Sequence, residues 1–321
     1  MRVCRFQHQG RVHAGIYSDK FVAPLSAAAK AYADATHETL TLPESDDLLD
    51  LLPPDGKFAA AAEKLAGWVE RNGEGVPASA RLAHSDVKLL VPIPRPNKLL
   101  LLAGNYAEHI KEGGGVAAER AETFPYVFMK PPTTTLTHPG DPIRIPSVSP
   151  NAIDWEVELA VVIGRKGKHI PESKALQYVA GYTVVNDISD RKFRPNPGRK
   201  ERPNNAFFDW LHGKWHDSFC PCGPCIASAR AIPDPQSLKL QLRLNGEVRQ
   251  DSSTKFQIFP VAAVIEFISS FVTLEPGDII ATGTPAGVGN TTGTYIKPGD
   301  TLEASIESIG ILVSPVTAEK V

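Results

Sequence analysis

Residues 153–164 read I-D-W-E-V-E-L-A-V-V-I-G and residues 181–191 read G-Y-T-V-V-N-D-I-S-D-R, and these two segments decide the fold. In the first segment apolar residues alternate with Glu156 and Glu158, which predicts a strand with both carboxylates on one face. The second segment predicts another strand, which ends at Asp187. Two carboxylates on one face and a third at the end of a later strand favour Mg²⁺, and they also suit Mn²⁺ or Ca²⁺. Glu-x-Glu is also common on the solvent face of an edge strand, so the spacing alone leaves both interpretations open.

The composition is typical of a globular protein with a sizeable core. Of the 321 residues, 42% are hydrophobic and 22% are charged. The 28 prolines and 25 glycines favour a fold rich in turns and strands. A formal net charge of −2 argues against non-specific nucleic-acid binding, and no apolar run is long enough to span a membrane. The N-terminus lacks the apolar segment of a secretory signal, so we expect a cytoplasmic protein.

Residues 1–91 are predicted to form a small N-terminal α+β domain. They contain a predicted hairpin that turns at Gln9-Gly10 and two predicted helices, without a catalytic group of residues. The proline-rich segment V-P-I-P-R-P at 91–96 is a stiff connector. We therefore place a boundary after residue 91 and predict a second domain over residues 92–321.

A histidine–glutamate pair follows the predicted strand at 98–103. The segment Tyr106–Glu112 is predicted to be helical, with Asn105 as its N-cap. His109 and Glu112 are three residues apart, so they share a helical face on which the carboxylate can orient the imidazole as a general base. Three glycines after the helix would let the segment move as a lid. A surface His–Glu pair without a catalytic role has the same spacing.

Three other segments carry groups that could bind an anion. The Arg- and Lys-rich loop after Asp187 is either a solvated loop or a surface that attracts an anionic substrate, and Arg191 is the residue in it that we expect to point inward. Lys214 lies among aromatic residues, where a lysine either covers apolar surface or acts as an electrophile beside an oxyanion. The segment T-G-T-P-A-G-V-G at 282–289 leaves a predicted strand, and its backbone N–H groups can bind a carboxylate.

The cysteine-rich segment F-C-P-C-G-P-C at 219–225 also allows two interpretations. Its three cysteines, with His212 and His216 nearby, could bind zinc. A closed zinc site, however, has four ligands, usually in two separated pairs. Reduced and partly buried thiols in a kinked segment are therefore the favoured interpretation.

Taken in order, several motifs resemble the fumarylacetoacetate hydrolase family over about residues 92–318. They are N-Y-A-E-H (105–109), M-K-P-P-T-T (129–134), D-W-E-V-E-L-A-V-V-I-G (154–164), G-Y-T-V-V-N-D-I-S-D-R (181–191), K-W-H-D-S-F-C-P-C-G-P (214–224), L-N-G-E-V-R-Q (244–250) and T-G-T-P-A-G-V-G (282–289). Each motif is modest, but their order and spacing make the set specific. Residues 1–91 match only the looser N-terminal domain of larger members. The resemblance implies an α+β, β-rich fold, a mixed β-roll or β-sandwich catalytic domain, and usually a homodimer.

The resemblance also implies roles for individual residues. The implied ligands of Mg²⁺ or Mn²⁺ are Glu156, Glu158 and Asp187. The implied catalytic residues are the dyad on a mobile lid and a lysine facing the substrate oxygens: His109, Glu112 and Lys214. The implied substrate contacts are Tyr106, Arg191, Gln250, Gly283 and Thr284. The chain departs from the family pattern at Asp190, Lys192 and Arg194, and again in the segment D-S-S-T-K-F-Q-I-F after Gln250. These departures leave the shape of the substrate open.

We therefore expect a metal-dependent hydrolase that cleaves a C–C bond in a β-diketo or acylpyruvate-type acid, such as fumarylacetoacetate or fumarylpyruvate, in aromatic or sugar-acid catabolism. Water activated by the histidine would attack a carbonyl, and the leaving group would be an enolate. An isomerase of a 2-hydroxy-dienedioate or a decarboxylase of a 2-oxo diacid passes through a similar enolate and is the alternative. A non-catalytic, metal-stabilised binding protein is a rival from another class, but Lys214 and all three carboxylates are retained.

Overall fold

The computed structural model describes residues 1–320, which form a strand-rich α+β structure. Its helices are α1 Leu25–Thr36, α2 Ala59–Asn72, α3 Ala107–Glu112, α4 Pro132–Thr135, α5 Asn205–His212, α6 Val261–Phe271 and α7 Gly289–Thr292. Its strands are β1 Arg2–His8, β2 Arg11–Tyr17, β3 Phe21–Pro24, β4 Leu82–Ala83, β5 Lys88–Leu90, β6 Leu99–Ala103, β7 Tyr126–Met129, β8 Leu136–Thr137, β9 Ile143–Ile145, β10 Ile153–Asp154, β11 Val157–Ile163, β12 Val179–Asn186, β13 Ser189–Asp190, β14 Cys220–Ser228, β15 Lys239–Leu244, β16 Glu247–Ser253, β17 Ile279–Ala281, β18 Thr301–Ile306 and β19 Gly310–Ala318. The predicted fold class is confirmed.

A large sheet is built around β11 and β12. Among the described residues its order is β4-β3-β2-β1-β14-β12-β11-β17-β6-β7, with β5 paired to β1 and β8 paired to β14. Strands β11 and β12 run antiparallel, and Val157 lies opposite Asn186. Every residue of both strands is buried, because β-branched and small apolar residues fill both faces. The segment at 153–164 is therefore central, and an exposed edge strand is excluded.

The two faces of β11 pack against different partners. Val157, Leu159 and Val161 join the apolar cluster of a second sheet, whose order is β16-β15-β18-β19-β9. Ala160 and Val162 join a second cluster, to which helices α1 and α2 contribute. Because side chains alternate along a strand, Glu158 shares the parity of Ala160 and Val162. The Glu158 carboxylate is thus buried at the start of β11, next to the end of β12.

The N-terminal strands belong to the same large sheet as the rest of the chain. Strand β1 pairs antiparallel with β14, so that Arg2 lies opposite Ala227 and Val3 lies opposite Ile226. The predicted turn at residues 9 and 10 is confirmed, and both have positive φ. The predicted boundary after residue 91 therefore crosses a continuous sheet and a shared apolar cluster. That residues 1–91 form a domain of their own stays a prediction.

One local prediction is wrong. Asn105 does not cap α3, because its side-chain amide donates to the backbone oxygens of Phe259 and Thr282 at 3.0 and 2.8 Å. Its Oδ1 accepts the Phe259 N–H at 2.8 Å, so the residue joins three segments in the interior. Tyr106 occupies the N-cap position without a side-chain capping bond. Among residues 1–320, no helix has the length and apolar character needed to cross a bilayer.

Candidate metal centre and active site

The antiparallel pairing of β11 and β12 brings the three predicted ligands together. The start of β11 meets the end of β12, and the backbone oxygen of Glu156 accepts the Asp187 N–H at 2.8 Å. The Glu156 N–H donates to the side-chain oxygen of Asn186 at 2.9 Å. As a result, one carboxylate oxygen from each of Glu156, Glu158 and Asp187 lies within 4.8 Å of the others, and all three residues are buried. This arrangement is the geometry that a divalent cation needs.

Three cations surround the carboxylates. Lys214 Nζ donates to Glu156 Oε2 at 2.8 Å and to Asp187 Oδ2 at 2.7 Å. The Arg191 side chain points inward, as predicted, and donates to Asp154 at 2.8 Å and to Glu156 Oε1 at 2.5 Å. These contacts place two predicted site residues directly on the predicted metal ligands.

The third cation is Lys130, a residue that our sequence interpretation did not single out. Its Nζ lies 2.5 Å from Asp187 Oδ1 and donates to the backbone oxygens of Ile188 and Phe219. Both Lys130 and Asp187 are fully buried. The only signal in the sequence was the motif M-K-P-P-T-T, whose lysine could equally have been a surface residue. Asp154, the partner of Arg191, was also missed as a site residue although it begins the motif that contains the ligands.

The pKa values of the two glutamates in the cluster are shifted in opposite directions. Burial alone would raise the pKa of Glu156, but the charges of Lys214 and Arg191 outweigh it and lower that pKa far below its ordinary value. The pKa of Glu158 is raised well above its ordinary value by burial and by repulsion from Asp187 and Glu156. The pKa of Lys214 is raised, since its two carboxylate partners outweigh the effect of burial, so the ammonium stays charged.

These residues fit a divalent cation. Within residues 1–320, Glu158 Oε1 is buried and has no hydrogen-bond partner, although its Oε2 accepts the Gly283 N–H at 2.7 Å. Four buried carboxylates face the three cations described above, which leaves one negative charge in excess. A buried, unpaired carboxylate is costly, and a hard cation with oxygen ligands would remove that cost. Glu156, Glu158 and Asp187 would hold such an ion.

The predicted dyad lies on α3, close to the carboxylates. His109 Nδ1 is 2.7 Å from Glu112 Oε1, and each side chain is only 19% exposed. His109 lies near enough to Glu156 that a protonated imidazole contributes to lowering the carboxyl pKa. Because Glu112 occupies Nδ1, it favours the tautomer in which Nε2 is free to accept a proton. The arrangement could therefore supply a general base beside the predicted metal ligands.

The predicted substrate contacts lie around the same centre, but their polar groups are mostly used within the protein. Gln250 donates to Thr284 Oγ1 and to the Pro285 oxygen, both at 2.8 Å, and accepts the Val157 N–H at 3.0 Å. Thr284 Oγ1 donates to the Val157 oxygen at 2.9 Å. These bonds join the glycine-rich loop to the start of β11. Direct substrate contact by these residues stays a prediction.

Tyr106 and Gly283 complete the predicted set. Tyr106 is 1% exposed, and burial, together with the negative charge of Glu158, raises the pKa of its hydroxyl. Gly283 has a positive φ of 91°, and an added Cβ would lie 2.7 Å from Asn105 Cβ, so only glycine fits there. Its N–H is committed to Glu158, and substrate contact by either residue stays a prediction.

The cysteines do not form a metal site with one another. Cys220 and Cys222 belong to one apolar cluster, whereas Cys225 belongs to the other. Because they lie on opposite faces of β14, the three thiols cannot meet at one ion. All three are buried and free, and burial raises the pKa of each thiol, as the favoured interpretation of this segment requires.

A cleft of about 1010 Å³ lies between the β2–β3 turn and the β18–β19 turn and is lined by charges of both signs. It is lined neither by the cysteines nor by the carboxylate cluster.

Comparisons with known proteins show which family the chain resembles in sequence and in fold. Residues 98–317 match the family described as fumarylacetoacetate (FAA) hydrolase C-terminal. The mitochondrial oxaloacetate tautomerase Fahd2a of Rattus norvegicus is 39% identical over 237 residues, covering 73% of this chain and 71% of that protein. The fumarylacetoacetate hydrolase structure from Exiguobacterium antarcticum has a TM-score of 0.74 and 29% identity, over 99% of this chain and 100% of that one. Maleylpyruvate hydrolase from Sphingobium sp. SYK-6, solved with manganese(II) and pyruvate, has a TM-score of 0.70 and 27% identity over the whole of both chains.

Proposed function

The chain belongs to the fumarylacetoacetate hydrolase family, and from this premise we propose that it is a divalent-metal-dependent hydrolase that cleaves a C–C bond in an acylpyruvate-type 2-oxo acid. Members of the family are enzymes of several reaction classes, so the site must support the choice among them. The observation that carries the proposal is the His109–Glu112 pair, 2.7 Å apart, on a helix beside the buried carboxylates Glu156, Glu158 and Asp187. Hydrolysis needs a base for water in addition to an ion, and in this proposal His109 would be the base and the three carboxylates would hold the ion.

The proposed ion is Mg²⁺ or Mn²⁺, because the three ligands are carboxylates and no softer ligand joins them in residues 1–320. The manganese(II) in the similar maleylpyruvate hydrolase supports the same assignment. When bound, such an ion polarises the oxygens of a 2-oxo acid and stabilises negative charge that develops on them.

The protein groups would then divide the work of proton transfer and charge balance. His109 Nε2 takes a proton from water, while Glu112 holds Nδ1 and keeps the imidazole in the required orientation. The resulting hydroxide attacks the distal carbonyl carbon, the C–C bond breaks, and the electron pair passes to the pyruvate side as an enolate. The proton held on His109 Nε2 then passes to the enolate carbon, which gives pyruvate and restores the base. Lys214 stays charged and fixes Glu156 and Asp187, so its positive charge lies next to this enolate.

A second candidate is an enol–keto tautomerase acting on a 2-oxo diacid. It is favoured by the 39% identity to the rat oxaloacetate tautomerase. The same residues would serve, because tautomerisation needs a base and a stabilised enolate but no attack by water. A decarboxylase would also use the enolate, but its carboxylate leaves as CO₂.

One experiment separates these reactions. The protein is incubated with Mg²⁺ in ¹⁸O-labelled water and offered acylpyruvates, fumarylpyruvate and oxaloacetate, and the cleavage products are identified by mass spectrometry. The enol–keto conversion of oxaloacetate leaves the mass unchanged, so it is followed by ultraviolet absorbance. We expect pyruvate and a second acid that carries one ¹⁸O in its new carboxylate. Accelerated enol–keto conversion of oxaloacetate with no cleavage of any acylpyruvate would overturn the hydrolase and favour the tautomerase.

We further propose that the protein is a homodimer, which associates through an exposed aromatic face. This face consists of Phe124, Tyr126, Met129, Phe207, Phe208 and Trp215, which are 39–62% exposed. Trp215 Nε1 donates to the Met129 oxygen at 2.8 Å, and Phe128 packs on Trp210, so α5 and the edge strand β7 form one surface. Monomeric proteins rarely expose a contiguous apolar patch of this kind.

A further inference from the structure

Asp154 is a buried carboxylate to which the proposed mechanism gives no task. It ends β10, two residues before the predicted ligand Glu156, and its side chain has no exposed surface. Its Oδ1 accepts the N–H of Trp155 at 2.8 Å and the N–H of Gly289 at 2.6 Å. The bond to Gly289 ties α7 to β10.

The other oxygen of Asp154 faces Arg191. Oδ2 accepts the Nε–H of Arg191 at 2.8 Å and the backbone N–H of Asn290 at 3.1 Å. The Nη2 group of the same guanidinium donates to Glu156 Oε1 at 2.5 Å. The fork of Arg191 is therefore divided between Asp154 and a predicted metal ligand.

The division of this fork matters because an ion would need the same glutamate. Glu156 Oε2 accepts Lys214 Nζ at 2.8 Å, so each carboxylate oxygen has one cationic donor. An ionised carboxylate has about four lone-pair sites, which leaves two of them for an ion. An arginine that is free to turn binds a carboxylate through two parallel N–H bonds. Such a fork on Glu156 would occupy a third site and bring the whole guanidinium charge next to the ion.

The backbone of Arg191 is held independently of the Asp154 side chain. Its N–H donates to the Ala152 oxygen at 2.9 Å. The preceding residue, Asp190, lies opposite Ile153 where β13 pairs with β10. Removing the Asp154 carboxylate would therefore release the guanidinium without releasing the chain that carries it.

From these contacts we infer that Asp154 is a positioning residue of the metal site: it holds one arm of the Arg191 guanidinium and thereby keeps that cation from closing on Glu156 in competition with a divalent ion. Asp154 lies outside the cluster of three carboxylates and acts through Arg191. The inference rests on the proposed metal-dependent function and assigns to the same site a residue that sets its affinity for the ion.

Two substitutions isolate this role. In Asp154→Asn the remaining oxygen can still accept the N–H groups of Trp155 and Gly289, as Oδ1 does in wild type. The amide NH₂ group replaces Oδ2 and cannot accept the Nε–H of Arg191. Arg191→Gln removes the competing cation, and Asp154 keeps its three backbone donors in that variant. Together the substitutions form a double-mutant cycle.

Tyr295→Phe is the control for loosening of α7. The Tyr295 hydroxyl donates to Asn290 Oδ1 at 3.0 Å, on the residue whose backbone N–H binds Asp154. The substitution removes a bond within this segment and leaves Arg191 with both of its carboxylate partners. We therefore expect wild-type affinity for the ion in this variant.

The measurement is Mn²⁺ binding to the full chain, followed by electron paramagnetic resonance of the free ion. Asp154→Asn should weaken binding about 10–100-fold, the range typical of residues that support a metal ligand. In the Arg191→Gln background the same substitution should weaken binding by a factor at least about fivefold smaller, as expected for residues in contact. If Arg191→Gln does not fold, the contrast between Asp154→Asn and Tyr295→Phe decides.

Equal Mn²⁺ affinity in wild type and Asp154→Asn would overturn the inference. So would the same factor in both backgrounds, because Asp154 would then act by its charge alone, or an equal loss in Tyr295→Phe, because α7 would then be responsible. A wild type that binds no Mn²⁺ would contradict the metal site and the inference together. A protein that shows the expected coupling but cleaves no acylpyruvate would contradict the proposed hydrolase and leave the role of Asp154 standing.

Discussion

Lys130 Nζ lies 2.5 Å from Asp187 Oδ1, and neither side chain has any exposed surface. The same ammonium donates to the backbone oxygens of Ile188 and Phe219 at 2.8 and 2.5 Å. Asp187 Oδ2 is meanwhile bound by Lys214 at 2.7 Å. The Asp187 carboxylate, which follows β12, is thus contacted by a lysine on each of its two oxygens.

Replacing this lysine should cost both stability and metal binding. Lys130→Met keeps the apolar stem but removes the cation beside Asp187 Oδ1 and the donor of two backbone oxygens. We expect the free energy of unfolding to fall by about 3–5 kcal/mol, as is typical when one partner of a buried ion pair is removed. Urea denaturation measures this loss, and Mn²⁺ titration should show weaker binding.

Lys88→Met is the control for that substitution. Lys88 pairs with Asp141 at the surface, where the side chains are 47% and 33% exposed. We therefore expect Lys88→Met to lower the free energy of unfolding by less than about 1 kcal/mol. Similar losses in the two variants would show that the buried pair has no special role.

Removing the base should separate chemistry from metal binding. His109→Ala leaves Glu156, Glu158 and Asp187 unchanged, so Mn²⁺ affinity should be preserved. Hydrolysis should fall by about 10²–10⁴-fold, the usual contribution of a general base. Steady-state assays with the best acylpyruvate and a parallel Mn²⁺ titration measure the two effects. Undiminished turnover would eliminate His109 as the base.

His138 predicts a pH dependence of stability outside the site. Its Nδ1 accepts the Val91 N–H at 2.9 Å, which requires the neutral ring, and burial lowers its pKa below the ordinary value of about 6.5. The unfolded chain therefore binds more protons as pH falls through that value. His138 therefore makes its full contribution to the free energy of unfolding above about pH 6.5. This contribution is lost as the pH falls from that value towards the pKa of the folded state.

The measurement is the free energy of unfolding of His138→Asn at about pH 8 and about pH 5, on either side of the ordinary histidine pKa. The asparagine oxygen can accept the Val91 N–H without titrating, so the loss of stability at the lower pH should be smaller than in wild type. His37→Asn is the control, because His37 is exposed with a positive φ that asparagine tolerates. Equal pH slopes in wild type and His138→Asn would refute the assignment.

The aromatic face predicts the oligomeric state. Phe207→Ser combined with Phe208→Ser removes two rings that are 55% and 47% exposed. Light scattering after size-exclusion chromatography should give a dimer for wild type and a monomer for the double variant. Phe256→Ser, at a position 56% exposed outside this face, should remain dimeric. A monomeric wild type, or a double variant that stays dimeric, would contradict the proposal.

The sequence was most informative where chemistry and periodicity coincide. The alternation around Glu156 and Glu158 places both on one face, and antiparallel pairing of neighbouring strands brings them to Asp187. The spacing of His109 and Glu112 likewise fixes a local contact that the helix alone can form. Such short-range patterns depend on backbone geometry, which the sequence encodes directly.

Long-range contacts were not predictable in the same way. Lys130 reaches Asp187 across 57 positions of sequence, and nothing in M-K-P-P-T-T tells whether its lysine is buried. Pairing of β1 with β14 likewise depends on which edge the hairpin meets, so the N-terminal segment looked separate. Asn105 has a side chain suited to an N-cap, but its tertiary partners Phe259 and Thr282 outcompete that local role.

The central claim is that Glu156, Glu158 and Asp187 form a divalent-metal site, and Glu158 provides its most specific test. Its Oε1 is unpartnered among the residues described, and its pKa is raised by burial and by its acidic neighbours. Glu158→Gln removes the charge but keeps an oxygen for the Gly283 N–H. Because the charge is costly without an ion, the metal-free variant should be no less stable than wild type.

The most direct measurement is therefore Mn²⁺ binding to wild type and Glu158→Gln, followed by electron paramagnetic resonance of the free ion, with the exposed Glu247→Gln as control. Wild type and the control should bind one Mn²⁺ per chain. Glu158→Gln should bind more weakly by a factor beyond the roughly 10–100-fold typical of residues that only support a ligand. Equal Mn²⁺ affinity in wild type and Glu158→Gln would contradict the metal site and the mechanism that depends on it.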